Sequence, residues 1–404
     1  MVSAEGDPGT RGKNPRVAGR LELPGIAAGF ECSTHLRRDR RRVDVLAATA
    51  HDVFAEQDYR LLKRAGIGLV RDGLRWHLIE QSPGKYDWSS FLPMLEASAR
   101  AGVMVVWDLM HFGWPSWISP WHPDWAARFS DFSAAAATLI RSVSADRTLY
   151  VPVNEISFLA WCGGEVGHIN PFAKKRGDAL KTALARAFIG AAAAIRAHDP
   201  EAAISCAEPL IRVHPNRGGR GRRAAQSFNR AQFDALEMLL GRRAPELGGS
   251  EETLDLIGLN YYPANQWEIR TGVKVKPGTP RYTPLGHLLR RVAARYGHPL
   301  WIAETGCEGN ERPAWFSYVS DEVAAARAAG ADVQSICLYP VLNHLGWDDD
   351  RYCANGLYCG MAPDGLRPVY EPLAAEILRR RRVDEGGRVL EEEPVSRLKR
   401  RATR

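Results

Sequence analysis

Short apolar runs alternate with amphipathic stretches along the chain. Eight of the runs read as strands: 25–30 (GIAAGF), 67–71 (IGLVR), 103–110 (VMVVWDLM), 148–153 (TLYVPV), 202–207 (AAISCA), 253–259 (TLDLIGL), 300–303 (LWIA) and 332–339 (DVQSICLY). They are rich in β-branched and aromatic residues and lack strict polar alternation, as strands buried on both faces do. Between them the period lengthens. Leu180, Ala183, Leu184, Ala187, Phe188, Ala191 and Ile195 recur at helical steps over 178–197 and form one apolar stripe. The stretches 51–65, 88–101, 131–145, 224–242, 285–297, 313–329 and 369–382 read as helices for the same reason. Gly66, Gly102 and Gly330 each follow a helical pattern and precede a strand, where a left-handed residue closes a helix.

Eight β-then-α units in a row predict an α/β protein with one (β/α)8 TIM-barrel domain over 21–382. A doubly wound sheet is the alternative. It usually has fewer strands and a Gly-rich first turn, and no G-x-G-x-x-G follows the first strand here. No nucleotide cofactor is therefore expected.

Charge changes the picture little. The formal net charge is +7 over 404 residues, 45% of them apolar. Residues 1–20 hold four Lys/Arg against two acids, and residues 379–404 hold ten against five. The body between is formally neutral, which argues against a nucleic-acid partner. Residues 1–20 and 383–404 are expected to be flexible tails. No apolar run approaches the roughly 18 residues of a membrane span, and the N-terminus shows no secretory h-region. Seven Cys without a C-x-x-C fit a reducing, cytoplasmic setting. No His/Asp cluster has metal-ligand spacing, so no catalytic metal is expected.

In such a barrel the chemistry gathers at the C-terminal ends of the strands. Those ends carry Glu31, Arg71, His111, Asn154 with Glu155, Glu208, the Asn260–Tyr262 run, Glu304, and finally Tyr339 and Trp347. Two carboxylic acids at the ends of strands four and seven face each other across the mouth. Paired carboxylates serve glycoside hydrolysis, one as proton donor and the other as nucleophile or base. Arg71 is placed to keep one of them ionised, with Tyr261 donating to the same oxygens. The other needs a raised pKa. Trp114 opens a loop with four Trp between 114 and 125, and aromatic faces stack on sugars.

The order of these motifs resembles the (β/α)8 glycoside hydrolases, and most closely family 1, the β-glucosidase family. "RDGLRW" (71–76) resembles its R-F-S-x-x-W run, and "LMHFGWP" (109–115) its L-x-H-[WF]-D-x-P. Asn154-Glu155-Ile156 resembles its N-E-P. "GLNYY" (258–262) resembles G-x-N-Y-Y, "AETG" (303–306) T-E-N-G, and "YPVLNHLGW" (339–347) the closing W-S-L-L-D-N-F-E-W.

The resemblance implies a retaining β-glycosidase acting on carbohydrate. Glu155 would be its acid/base and Glu304 its nucleophile, with Arg71, Asn154 and Tyr261 in support. Glu31, His111, Trp114, Tyr339 and Trp347 would bind the sugar. A transglycosidase, or a barrel that only binds carbohydrate, are the alternatives. There are departures. The family's first-strand Gln is missing and Glu31 stands nearby, Gly346 aligns with its sugar-gripping Glu, and Tyr339 with its Trp. The family's Trp-Ser bond at that last position is cis, and Pro340 makes a cis Tyr339–Pro340 bond the expectation here.

Overall fold

The computed structural model describes residues 22–144, 147–216 and 218–384. Eight parallel strands close into a barrel. They are β1 (Ile26–Gly29), β2 (Leu69–Gly73), β3 (Met104–Met110), β4 (Leu149–Val153), β5 (Ala203–Pro209), β6 (Leu256–Asn260), β7 (Leu300–Thr305) and β8 (Val333–Leu338). Each pairs with its neighbours in sequence, and β8 pairs with β1 to close the ring. All eight coincide with the apolar runs. The expected tails lie outside the described residues, apart from 383 and 384, which end the helix Glu371–Asp384.

Side chains alternate between two cores. Ala27, Leu69, Val106, Leu149, Val151, Ala203, Leu256, Trp301 and Cys337 fill the barrel interior. Their neighbours Ala28, Val70, Val105, Tyr150, Ile204, Ile257 and Ile302 pack outward against the helices. Trp301 reaches across and donates from its indole to Ser205 Oγ at 2.8 Å. Gly258 makes the room, since a Cβ there would lie 2.8 Å from Trp301 Nε1 and 2.2 Å from the Cys206 carbonyl. Among the described residues no helix is long and apolar enough to cross a membrane. All seven Cys are free thiols.

The helices follow the periodic stretches with three differences. The stretch 88–101 is a 3-10 turn, Trp88–Ser90, followed by a helix, Leu92–Ala101. The helix expected over 131–145 begins at Trp125, because Trp125 and Phe129 extend the stripe of Phe132, Ala136 and Ile140 by two turns. The helix expected over 224–242 is two helices, Arg222–Ala231 and Asp234–Leu239. Tyr339–Pro340 is cis, as the Pro suggested.

Candidate active site

Interior alternation carries directly into the mouth. Leu69 faces inward, so Arg71 does too, and Val106 places Asp108 in the same way. Arg71 is fully buried, and all five of its N–H groups are used. Nε and NH2 donate to Asp108 at 3.0 and 2.7 Å. NH1 donates to Glu304 Oε1 at 2.6 Å and to the Ala303 carbonyl at 3.1 Å. NH2 also donates to Asn154 Oδ1 at 2.7 Å. A single guanidinium thus ties the ends of β2, β3, β4 and β7 together.

The bond from Arg71 fixes which way Asn154 points. Its amide NH2 therefore meets His111, and Nδ2 lies 2.9 Å from Nε2. His111 Nδ1 lies 2.9 Å from Asp108 Oδ2. The proton of the ring therefore sits on Nδ1, and Nε2 accepts. Glu31 Oε1 lies 3.7 Å from the same Nε2. Cys32, Asp108 and His111 bring three ligand-type atoms within 4.8 Å of one another. Asp108 is already committed to Arg71 and His111, and burial pushes the Cys32 thiol well up. The trio fits a hydrogen-bonded support better than a metal site.

Glu304 is turned into the mouth by an irregularity. Trp301 and Ala303 face the interior, so strict alternation would send Glu304 toward the helices. β7 instead carries one extra residue against both neighbours: Leu259 pairs with Ile302 but Asn260 with Glu304, and Ile336 with Ile302 but Leu338 with Thr305. Bulges re-aim side chains in this way beside active sites. Glu304 Oε2 then accepts from the Tyr262 hydroxyl at 2.8 Å.

Glu155 follows β4 in the left-handed region, with φ 44°. That conformation costs a non-Gly residue about 1–3 kcal/mol. Its own N–H, donated to the Ala207 carbonyl at 2.8 Å, helps to hold it. Its Oε1 accepts one neutral hydrogen bond, from Asn260 Nδ2 at 2.8 Å. Burial raises the Glu155 pKa well above the usual value, and the charge of Glu304 adds to the rise. Burial raises Glu304 as well, but Arg71 and the Tyr262 hydroxyl oppose it. Both carboxyls thus lie above the usual range, Glu155 further than Glu304 because the Arg71 guanidinium opposes the rise at Glu304. Glu208, at the end of β5, accepts from the Ser157 N–H at 3.1 Å, and burial pushes its carboxyl up to about 7.

The structure brings Glu155, Glu304, Arg71, Asn154, His111 and Glu31 together. Tyr339 joins them, with its ring 6.2 Å from and parallel to that of His111. Its hydroxyl is buried without a partner, as is Asn260 Oδ1. Trp347 is half-buried in an aromatic rim with Phe112 at 5.4 Å and Phe158 at 6.1 Å. Two expected contacts differ. Tyr261 does not reach Glu304: its hydroxyl pairs with Tyr282 at 2.6 Å and accepts from Gln266 at 2.9 Å, and Tyr262 makes the expected bond instead. Trp114 is buried edge-on against Trp125 at 5.6 Å, so its faces serve the core. Asp108 was not foreseen, and Asn260 and Tyr262 were placed at the mouth without the bonds they make. Interior parity with Val106 carries the signal for Asp108. Asn260 keeps the interior parity of Leu256, and Tyr262 lies past the end of β6, where parity stops.

Two cavities flank the carboxyls. One of about 680 Å³ begins at Ser157, two residues past Glu155, and is lined by Phe158, Trp161, Phe228 and Trp267. The other, about 850 Å³, lies beside Tyr262, Gly306 and Tyr339.

Residues 49–150 match the model of glycoside hydrolase family 42, described as beta-galactosidase. No curated protein matches the sequence. Among solved structures, the chain is similar to the family 1 β-glucosidase from Thermotoga maritima. The TM-score is 0.70 at 16% identity, covering 92% of this chain and 98% of that one. It is also similar to the AHE enzyme from Alicyclobacillus herbarius, with TM-score 0.72 at 16% identity, covering 89% and 98%. At such identities the likeness establishes the (β/α)8 fold.

Proposed function

We propose that this chain is a retaining β-glycoside hydrolase. The carrying observation is the unequal support of its two central carboxyls. Glu304 takes bonds from a guanidinium and a phenol, and Glu155 only one from an amide. The family match over 49–150 supports a glycosidase, and the similar Thermotoga maritima fold supports the family 1 comparison. Glu155 donates its proton to the glycosidic oxygen as Glu304 attacks the anomeric carbon and the leaving group departs. Glu155, now a carboxylate, takes a proton from water, whose oxygen displaces Glu304 and frees the sugar. Arg71 and Tyr262 keep Glu304 ionised, and Asn260 orients Glu155. His111, Asn154, Glu31, Tyr339 and Trp347 surround the sugar. The aromatic cavity past Glu155 receives the leaving group. Its volume of about 680 Å³ and its aromatic lining also suit a sugar or aryl acceptor in place of water, which keeps transglycosylation as the second reading.

The test is a panel of 4-nitrophenyl β-glycosides: glucoside, galactoside, mannoside, fucoside, xyloside and glucuronide. Hydrolysis or transfer from at least one is the expected result. A folded protein that leaves the whole panel intact would count against the reading.

Glu208 gives a pH prediction. Its carboxyl, raised to about 7, adds negative charge beside Glu155 as the pH climbs and helps Glu155 keep its proton. Glu208→Gln removes that charge. The alkaline limb of the kcat/KM profile should then move to lower pH, by about half a unit. An unmoved limb would show that the two carboxyls are uncoupled.

A further inference from the structure

Arg212 opens a basic stretch, RVHPNRGGRGRR (212–223), that no motif above uses. It follows β5 in a short strand, Arg212–His214, paired in parallel with Gln266–Glu268. Its side chain lines a cavity of about 60 Å³ together with Arg291 and Arg295 of the helix Leu285–Tyr296. Ile211 and Gln232 line this cavity and the larger aromatic one alike. The small cavity is therefore a neighbour of the proposed leaving-group position and not part of it.

Three cations meet there, and only one is neutralised. Arg295 donates from Nε and NH2 to Glu237 at 2.9 and 2.7 Å. Arg212 and Arg291 have no acid partner and no side-chain hydrogen bond among the described residues. Arg212 is half-buried; its Nε is buried without a partner, while its two terminal nitrogens stay open. Burial holds the Arg212 pKa below the usual arginine value, and the charge of Arg291 lowers it further. Among the described residues no carboxylate lines the cavity to relieve that repulsion. The amides of the lining are committed to the backbone. Asn229 exchanges two bonds of 2.8 Å with Val213, and Gln232 accepts from the Ile211 N–H and donates to the Asn229 carbonyl, both at 2.9 Å. Leu210, Leu288 and Val292 are apolar. What the lining offers a ligand is guanidinium N–H groups.

We propose that Arg212 and Arg291 bind a phosphate group, as the free dianion or as a monoester. Guanidinium forks match the oxygens of such a group in pairs. A dianion neutralises both charges at once, which a carboxylate cannot do. The cavity has room for about four waters, so it admits the phosphate group itself and leaves any organic remainder outside. The proposal is independent of the glycosidase reading, since nothing in it requires Glu155 or Glu304.

The test is calorimetric titration of the full chain with inorganic phosphate, glycerol 3-phosphate and acetate, at an ionic strength held constant with chloride. Saturable binding of at least one of the two phosphates, at one site per chain, is expected. Arg212→Gln and Arg291→Gln should each weaken it about 10-fold or more. Arg290→Gln, on the same helix but outside the cavity lining, should leave it intact. Arg291 is exposed, so its variant keeps the test decisive even if Arg212→Gln fails to fold. Binding of the monoester alone would identify an ester as the ligand, and equal or tighter binding of inorganic phosphate would identify the free ion. Three results would overturn the proposal: no saturable phosphate binding by the wild type, binding unchanged in Arg291→Gln, or acetate held as tightly as phosphate.

Discussion

Glu304→Gln is expected to lower kcat/KM on the best glycoside by about 10⁴-fold or more, without unfolding the barrel. The amide cannot form the glycosyl ester, and neither Asp108 nor Glu155 is free to replace it. Asp108 is saturated by Arg71 and His111, and Glu155 carries the proton the leaving group needs. Glu155→Gln should behave differently. Loss of a general acid costs about 10²–10⁴-fold, but the cost depends on how much help the leaving group needs. The defect should be large on alkyl glycosides and small on 2,4-dinitrophenyl glycosides, whose leaving group departs unprotonated. Equal defects on both substrates would contradict the assignment of roles. If Glu304→Gln were as active as the wild type, the nucleophile would have to be another residue.

The second large effect is on stability, away from the mouth. His51 is fully buried between two carboxylates, with Nδ1 2.8 Å from Asp58 and Nε2 2.8 Å from Asp72. Tyr59 also donates to Asp72, at 2.6 Å, and Arg367 donates to Asp58 from two nitrogens at 2.5 and 2.9 Å. Phe30 stacks on the imidazole at 3.6 Å. The network joins β1, β2, the helix His51–Arg64 and the segment leading into the last helix. Burial alone would lower the His51 pKa. The charges and hydrogen bonds of Asp72 and Asp58 overcome burial and raise it to about 9. Against an ordinary value near 6.5, that rise corresponds to about 3 kcal/mol. Because the folded value is the higher one, this stability is fully present below about pH 6.5 and is lost as the pH rises through 9. His51→Gln should therefore cost about 3 kcal/mol in urea unfolding at pH 6. The gap to the wild type should shrink by pH 9.5. A gap that stays constant over that range would mean the imidazole is not charged in the fold. Asp58→Ala, which strands both His51 and Arg367, should cost about 3–5 kcal/mol.

Much of the architecture was legible because strands buried on both faces leave uninterrupted apolar runs, and every one of the eight runs became a barrel strand. The strand ends were legible for a related reason. A polar residue directly after such a run has few places to go except the mouth, and Arg71, His111, Asn154, Glu155 and Glu304 all meet there. Where the backbone departs from regular alternation, the reading fails. The turn after Asn260 gives Tyr262 the bond expected of Tyr261. The extra residue in β7 that delivers Glu304 and the left-handed backbone at Glu155 leave no mark in the hydrophobic pattern. Trp114 looked available for stacking because a Trp-rich loop suggests a sugar platform. Trp125 and the helix it begins claim it for the core.

The most direct test of the account is covalent trapping. A 2-deoxy-2-fluoro β-glycoside with a 2,4-dinitrophenyl leaving group, made on the sugar the panel selects, slows both steps but lets the first outrun the second. The protein should then gain the mass of one fluoroglycosyl group, and peptide mapping should place it on Glu304. A label on any other residue, or turnover of the parent glycoside with inversion at the anomeric carbon and no label at all, would contradict the retaining mechanism built on Glu155 and Glu304.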